Sequence, residues 1–168
     1  IIAGKKEFVE KVKKNPLMRV LRTDKIRLAL LEETLKYFLT DDPVRNGHLT
    51  LSMLSEGREL LKIKAEKLNK QIEKIIPERW SIGIEEIIDQ AGSGTLPTEG
   101  LKGIALSFRQ NDIGVNRLSA EMRTASDVPV FGYINDEKYY LSMRTIFERD
   151  FNDICGNLKK IISKHQIR

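Results

Sequence analysis

Apolar positions along the first forty residues recur at helical spacing. Lys5 to Lys14 sets Phe8, Val9 and Val12 against Lys5, Lys6, Lys11, Lys13 and Lys14, an amphipathic helix that Asn15-Pro16 ends. Lys25 to Leu39 is the strongest helix, with one stripe of Leu28, Leu31, Leu35 and Phe38 and a second of Ile26, Leu30 and Tyr37. A helix apolar on two sides is normally covered on two sides, so this one is expected between packed layers and is expected to be unstable alone. Asp41-Asp42-Pro43 stops it and Asn46-Gly47 turns the chain. Leu49 to Leu54 is a short apolar segment. Ser55 is then expected to cap a second long helix to about Ile76, with Leu60, Leu61, Ile63, Ala65, Leu68, Ile72 and Ile75 apolar and Pro77 closing it.

Past Pro77 the period shortens to that of strands. Trp80 to Asp89 carries Ile82, Ile84, Ile87 and Ile88, and the Glu85-Glu86 pair interrupts their alternation as a bulge would. Gln90 to Gly100 is a loop, Leu101 to Phe108 a second strand, and Asn116 to Thr124 a short helix with Leu118 and Met122 inward. Val128 to Ile134 and Lys138 to Met143 form a hairpin across Asn135-Asp136-Glu137, and Asp150 to Ser163 is the last helix. The order β-β-α-β-β-α predicts four mostly antiparallel strands backed by helices on one face, a small α+β layer after two long helices.

Composition narrows the class. The 168 residues are 40% hydrophobic and 32% charged, which argues against a disordered chain and allows one or two domains. No apolar run approaches the ~20 residues that span a bilayer, so no membrane partner is expected. A single cysteine, Cys155, rules out an internal disulfide framework and cysteine-type zinc spacing, and fits a reducing, cytoplasmic setting. His48 and His165 read as surface residues without metal-ligand spacing, and no Ser-His-Asp or Cys-His constellation assembles. The net charge of +5 is compatible with a polyanionic partner and does not establish one. The chain opens on Ile1-Ile2-Ala3-Gly4, which reads as the end of a strand and the continuation of a longer protein.

Candidate chemistry centres on Pro16 to Lys25, P-L-M-R-V-L-R-T-D-K. Arg19 and Arg22 stand three apart, which on a helical turn places both guanidinium groups on one face. Each fork can donate two parallel hydrogen bonds to an oxyanion such as phosphate. Thr23 and Asp24 read as the cap of the next helix. Ordinary solvated or carboxylate-paired arginines are the competing reading. Arg144, in L-S-M-R-T, is either a carboxylate or phosphate binder or the partner of an acid such as Glu148. Gly92-Ser93-Gly94-Thr95 could offer backbone N–H groups to an anion, although it lacks the nucleotide-loop pattern.

Taken in order, I-I-A-G-K-K-E, P-L-M-R-V-L-R-T-D-K, L-A-L-L-E-E-T-L, G-S-G-T-L-P, P-V-F-G-Y-I-N-D and L-S-M-R-T-I-F resemble the C-terminal part of bacterial selenocysteine synthase, the L-seryl-tRNA(Sec) selenium transferase family. The resemblance covers nearly the whole chain and is weakest from Asp112 to Asp127. It implies an α/β pyridoxal-phosphate enzyme of fold type I with an α+β C-terminal domain, divided here into 1–24 (end of the large cofactor domain), 25–78 (linking helices) and 79–168 (small domain). The cofactor lysine would lie just upstream of Ile1, leaving no catalytic residue in this chain. Arg19 and Arg22 match the family's R-x-x-R pair, which holds the anionic group of the selenium donor. Seryl-tRNA(Sec), selenophosphate and further copies in a homo-oligomer are the implied partners. G-S-G-T-L-P departs from the family's more usual G-G-G-S-L-P. Two alternatives therefore stand beside it: a pyridoxal-phosphate ammonia-lyase acting on a phosphorylated amino sugar, and a non-catalytic interaction domain.

Overall fold

The computed structural model describes residues 2–39, 47–91, 100–110 and 113–166. It divides into two compact units, Ile1–His48 and Leu49–Arg168. The first unit is helical: α1 (Lys6–Lys14), the single turn α2 (Leu17–Val20), and α3 (Lys25–Lys36), which tightens into a 3-10 turn over Tyr37–Leu39. Asp24 caps α3, its carboxylate accepting from the backbone N–H of Arg27 at 2.9 Å. None of these helices has a buried residue. Both apolar stripes of α3 are exposed, Leu28 at 53% and Leu30 at 63%, so the expected covering layers are not supplied by the described residues. Ile2 and Ala3 take part in no strand.

The second unit holds α4 (Leu49–Ser55), α5 (Arg58–Ile72), β1 (Ser81–Asp89), β2 (Leu101–Arg109), α6 (Val115–Thr124), β3 (Tyr133–Asn135), β4 (Lys138–Ser142) and α7 (Phe151–Gln166). The strands form one antiparallel sheet in the order β1-β2-β4-β3. Leu61, Ala65, Leu68 and Ile72 make one unbroken face of α5 and are fully buried. They pack with Ile104, Leu106 and Phe108 of β2, Tyr139 and Leu141 of β4, Leu118 and Met122 of α6, and Ile154, Leu158 and Ile161 of α7. The sheet with helices expected after Pro77 is therefore present.

Several local expectations are corrected. Leu49–Ser55 is itself a helix, and α5 begins at Arg58 with Gly57 in the cap position rather than Ser55, whose hydroxyl donates back to the Ser52 carbonyl. Leu60 and Ile63 lie off the buried stripe of α5 and are exposed. There is no bulge at Glu85-Glu86: the β1–β2 register runs without a break from Ser81↔Arg109 to Asp89↔Leu101. The two carboxylates point to opposite faces, as strand pleating requires, and each finds a cation, Glu86 pairing with Arg58 and Glu85 with Lys138. β3 is only Tyr133–Asn135, because the chain before it turns back to α6, where the Val130 N–H bonds the Met122 carbonyl at 2.9 Å. The hairpin turn is the two residues Asp136-Glu137, with φ of 44° and 57°, the left-handed pair that a type I′ turn needs.

Gly132 approaches the backbone of its neighbouring strand closely. A Cβ there would sit 2.3 Å from the Tyr140 carbonyl oxygen and 2.6 Å from the Tyr139 ring. Gly132→Ala is expected to destabilise the unit by ~1–3 kcal/mol, the usual cost of overpacking, read as a lower urea midpoint at unchanged m-value.

Candidate anion site

Arg19 lies in α2, and Arg22 follows the helix, in the short link before the Asp24 cap. The one-turn geometry expected of the pair is therefore corrected: only Arg19 is helical, because the turn ends at Val20 and Leu21 caps it. Asn15 helps to set the turn, its side-chain oxygen accepting from the Leu17 N–H at 2.9 Å. Both arginines are exposed, and neither side chain makes a hydrogen bond or ion pair among the described residues. Their guanidinium donors are open to solvent, flanked by the fixed start of α3.

Arg144 is in a different position. It is 6% exposed, and its Nε donates to Asp89 at 3.0 Å. Nη1 donates to the carbonyls of Met53 (2.7 Å) and Glu56 (3.2 Å), and Nη2 to the carbonyl of Lys102 (2.7 Å). Of the two roles expected for it, pairing with an acid is the one present, with Asp89 as the acid. Glu148 pairs with Lys67 instead. The Gly92 to Thr95 stretch lies outside the described residues.

On the face of the sheet opposite the core, Glu85 collects Lys138 Nζ (2.8 Å), Ser107 Oγ (2.6 Å) and Tyr140 OH (2.8 Å). Tyr140 in turn stacks on Tyr133, ring centroids 5.2 Å apart. The hydrogen bond from Lys138 and then that from Ser107 hold the Glu85 carboxyl well down, to about 2 from an ordinary 4.5, against the opposing effect of burial. Burial, with the Glu85 carboxylate beside it, pushes the Tyr140 phenol up to about 12. Because the folded value of Glu85 is depressed, its contribution to stability is complete above about 4.5 and disappears as pH falls towards about 2. Glu85→Gln is expected to flatten the acid limb of the stability profile across that window, measured by urea unfolding at stepped pH. An acid limb identical to that of the parent protein would refute the assignment.

His165, expected at the surface, is largely buried, its side chain 12% exposed. Its Nε2 lies 2.8 Å from Glu121, which also accepts from Lys164 (3.0 Å) and Arg117 (3.1 Å). Burial raises the Glu121 carboxyl, and the hydrogen bonds from Lys164, His165 and Arg117 outweigh it, leaving the group below its ordinary value. His48 packs edge-on against the Tyr37 ring at 5.2 Å. Burial raises the Cys155 thiol, which is the opposite of what a nucleophile needs. Among the described residues no group of His, Cys, Asp or Glu could hold a metal, and no helix is long and apolar enough to cross a membrane.

A helical lead-in bearing an exposed arginine pair, followed by an antiparallel sheet with helices on one face, defines a mixed α/β protein. The family model for SelA, L-seryl-tRNA selenium transferase, matches residues 1–147, and the chain belongs to that family. It is 35% identical over 161 residues to the L-seryl-tRNA(Sec) selenium transferase of Alkaliphilus metalliredigens, covering 96% of this chain and 34% of that protein. The corresponding enzyme of Clostridium botulinum (strain 657 / Type Ba4) is 30% identical over 162 residues, covering 96% and 35%. That of Desulfomicrobium baculatum is 29% identical over 164 residues, covering 98% and 35%. The chain thus spans about a third of the length of the curated relatives it matches.

Proposed function

We propose that this chain is the C-terminal portion of an L-seryl-tRNA(Sec) selenium transferase, which converts seryl-tRNA(Sec) to selenocysteinyl-tRNA(Sec) with selenophosphate in the cytoplasm. Arg19 and Arg22 hold the anionic group of the selenium donor. The observation that carries this reading is their state: two guanidinium groups three residues apart, exposed, without an ion-pair partner among the described residues, beside a capped helix start. Charge-assisted, bidentate contacts to a phosphate-like group are what such forks do best. The buried ion pair of Arg144 with Asp89 supports giving this role to Arg19 and Arg22 rather than to Arg144.

The family implies pyridoxal phosphate, which supplies an electron sink for eliminating the seryl hydroxyl. The one buried lysine among the described residues is not free for the covalent attachment of that group. Lys64, the buried lysine among them, is held by Glu56 (2.9 Å) and the Met143 carbonyl (3.0 Å). The attachment lysine belongs to the part of the protein upstream of this chain, and no step through the cofactor is assigned to these residues. The uncovered stripes of α3 support the same arrangement, since relatives about three times longer have further chain to cover them, and a homo-oligomer would cover more.

The test is the full-length protein incubated with seryl-tRNA(Sec), selenophosphate and pyridoxal phosphate. Formation of selenocysteinyl-tRNA is expected. Release of ammonia from a phosphorylated amino sugar, with indifference to tRNA, would overturn the proposal in favour of the lyase.

A further inference from the structure

The geometry points to Arg144 as a positioning residue: a clasp that fixes both strand ends of the β1–β2 connection, residues 90–100, to the link between α4 and α5. The donor count argues first. A guanidinium has five N–H donors. Four are committed, to the Asp89 carboxylate and to the carbonyls of Met53, Glu56 and Lys102. A bidentate grip on an external oxyanion needs two donors on one edge, and at most one remains.

The partners argue second. Asp89 is the last residue of β1 and Lys102 the second of β2, so the same planar group holds the chain where it leaves the sheet and where it returns. Met53 and Glu56 end α4 and lead into α5. Asp89 is held from a second side, by the Ser142 hydroxyl at 2.9 Å. Lys64 adds a parallel stitch, joining the Glu56 carboxylate to the carbonyl of Met143, the residue before Arg144. Only an arginine can serve acceptors in these directions at once, because its fork is planar and rigid while a lysine offers one compact centre. The pair is also dry, 8% and 14% exposed at Arg144 and Asp89, so removing one partner strands the other charge in a buried place.

A clasp and an anion ligand respond oppositely to loss of Asp89. If Arg144 positions the connection, Asp89→Asn loosens it just as Arg144→Lys does. If Arg144 binds an anion, Asp89→Asn frees the guanidinium and tightens that binding. The experiment uses the full-length protein labelled with nitrogen-15, titrated with inorganic phosphate and followed at the arginine Nε–Hε signals, with amide exchange recorded alongside. Both variants are expected to raise exchange at least ~10-fold in the flanking residues 89–91 and 100–102, while amides of α7 keep their protection. Phosphate is expected to leave the Arg144 signal unmoved in the parent and in Asp89→Asn. A phosphate-dependent shift of the Arg144 signal, or unchanged exchange at the flanking residues, would overturn the inference. Should Arg144→Lys fail to fold, Asp89→Asn decides alone. The Arg19 and Arg22 signals report the proposed donor site separately, so failure of that site and failure of the clasp are distinguishable.

Discussion

Phe108→Ala is expected to cost the second unit about 3–5 kcal/mol, the range for deleting a buried aromatic side chain, and to bring it close to unfolding. Phe108 is 2% exposed and sits on β2, an inner strand, facing Ile82 on one side and Tyr139 on the other. Its ring centroid lies 6.2 Å from that of Tyr139. Strand neighbours held by ladder hydrogen bonds cannot move inward, so the vacated volume stays a cavity and the cost falls at the upper part of the range. Urea unfolding followed by the fluorescence of Trp80, itself 7% exposed in the same core, measures it. A loss below ~1.5 kcal/mol would show that this is not the centre of the core.

Turnover of the full-length protein in the proposed selenium-transfer reaction is expected to fall by on the order of ten- to a hundredfold in Arg19→Ala or Arg22→Ala, the rate equivalent of losing a charge-assisted contact of about 1.5–3 kcal/mol. Thermal stability should not follow, because neither guanidinium has a partner among the described residues to abandon. The separation of the two effects is the informative part. A fall in melting temperature that tracks the fall in rate would mark the arginines as structural, and unchanged kinetics in both variants would remove their assigned role.

The parts of this molecule that could be read from its sequence are those governed by neighbours in sequence. The Asp24 cap, the α6 stripe of Leu118 and Met122, and the succession of strands and helices after Pro77 all follow from spacing within a few residues, whereas the pairing of β2 with β4 does not. What could not be read depends on distant partners. Nothing near Arg144 in the sequence points to Asp89, fifty-five residues earlier, and nothing near Glu85 points to Lys138 or Tyr140. The Glu85-Glu86 pair shows the difference. As a local pattern it breaks an apolar alternation. In the sheet it is an ordinary pleat whose two sides meet different cations. The arginine pair was legible as residues, and its geometry was not, since the short turn carrying Arg19 stops before Arg22.

Tyr139 and Tyr140 are chemically identical neighbours with opposite fates. One is 1% exposed in the core, its hydroxyl donating to the Val130 carbonyl; the other stands on the far side of the sheet, bound to Glu85 and stacked on Tyr133. No side-chain preference can tell them apart, so the choice falls to the two-residue turn that precedes them. Asp136-Glu137 acts as a ruler: with one residue more or fewer in that turn, the tyrosines would trade places, and the carboxylate at Glu85 would be left facing the wrong ring.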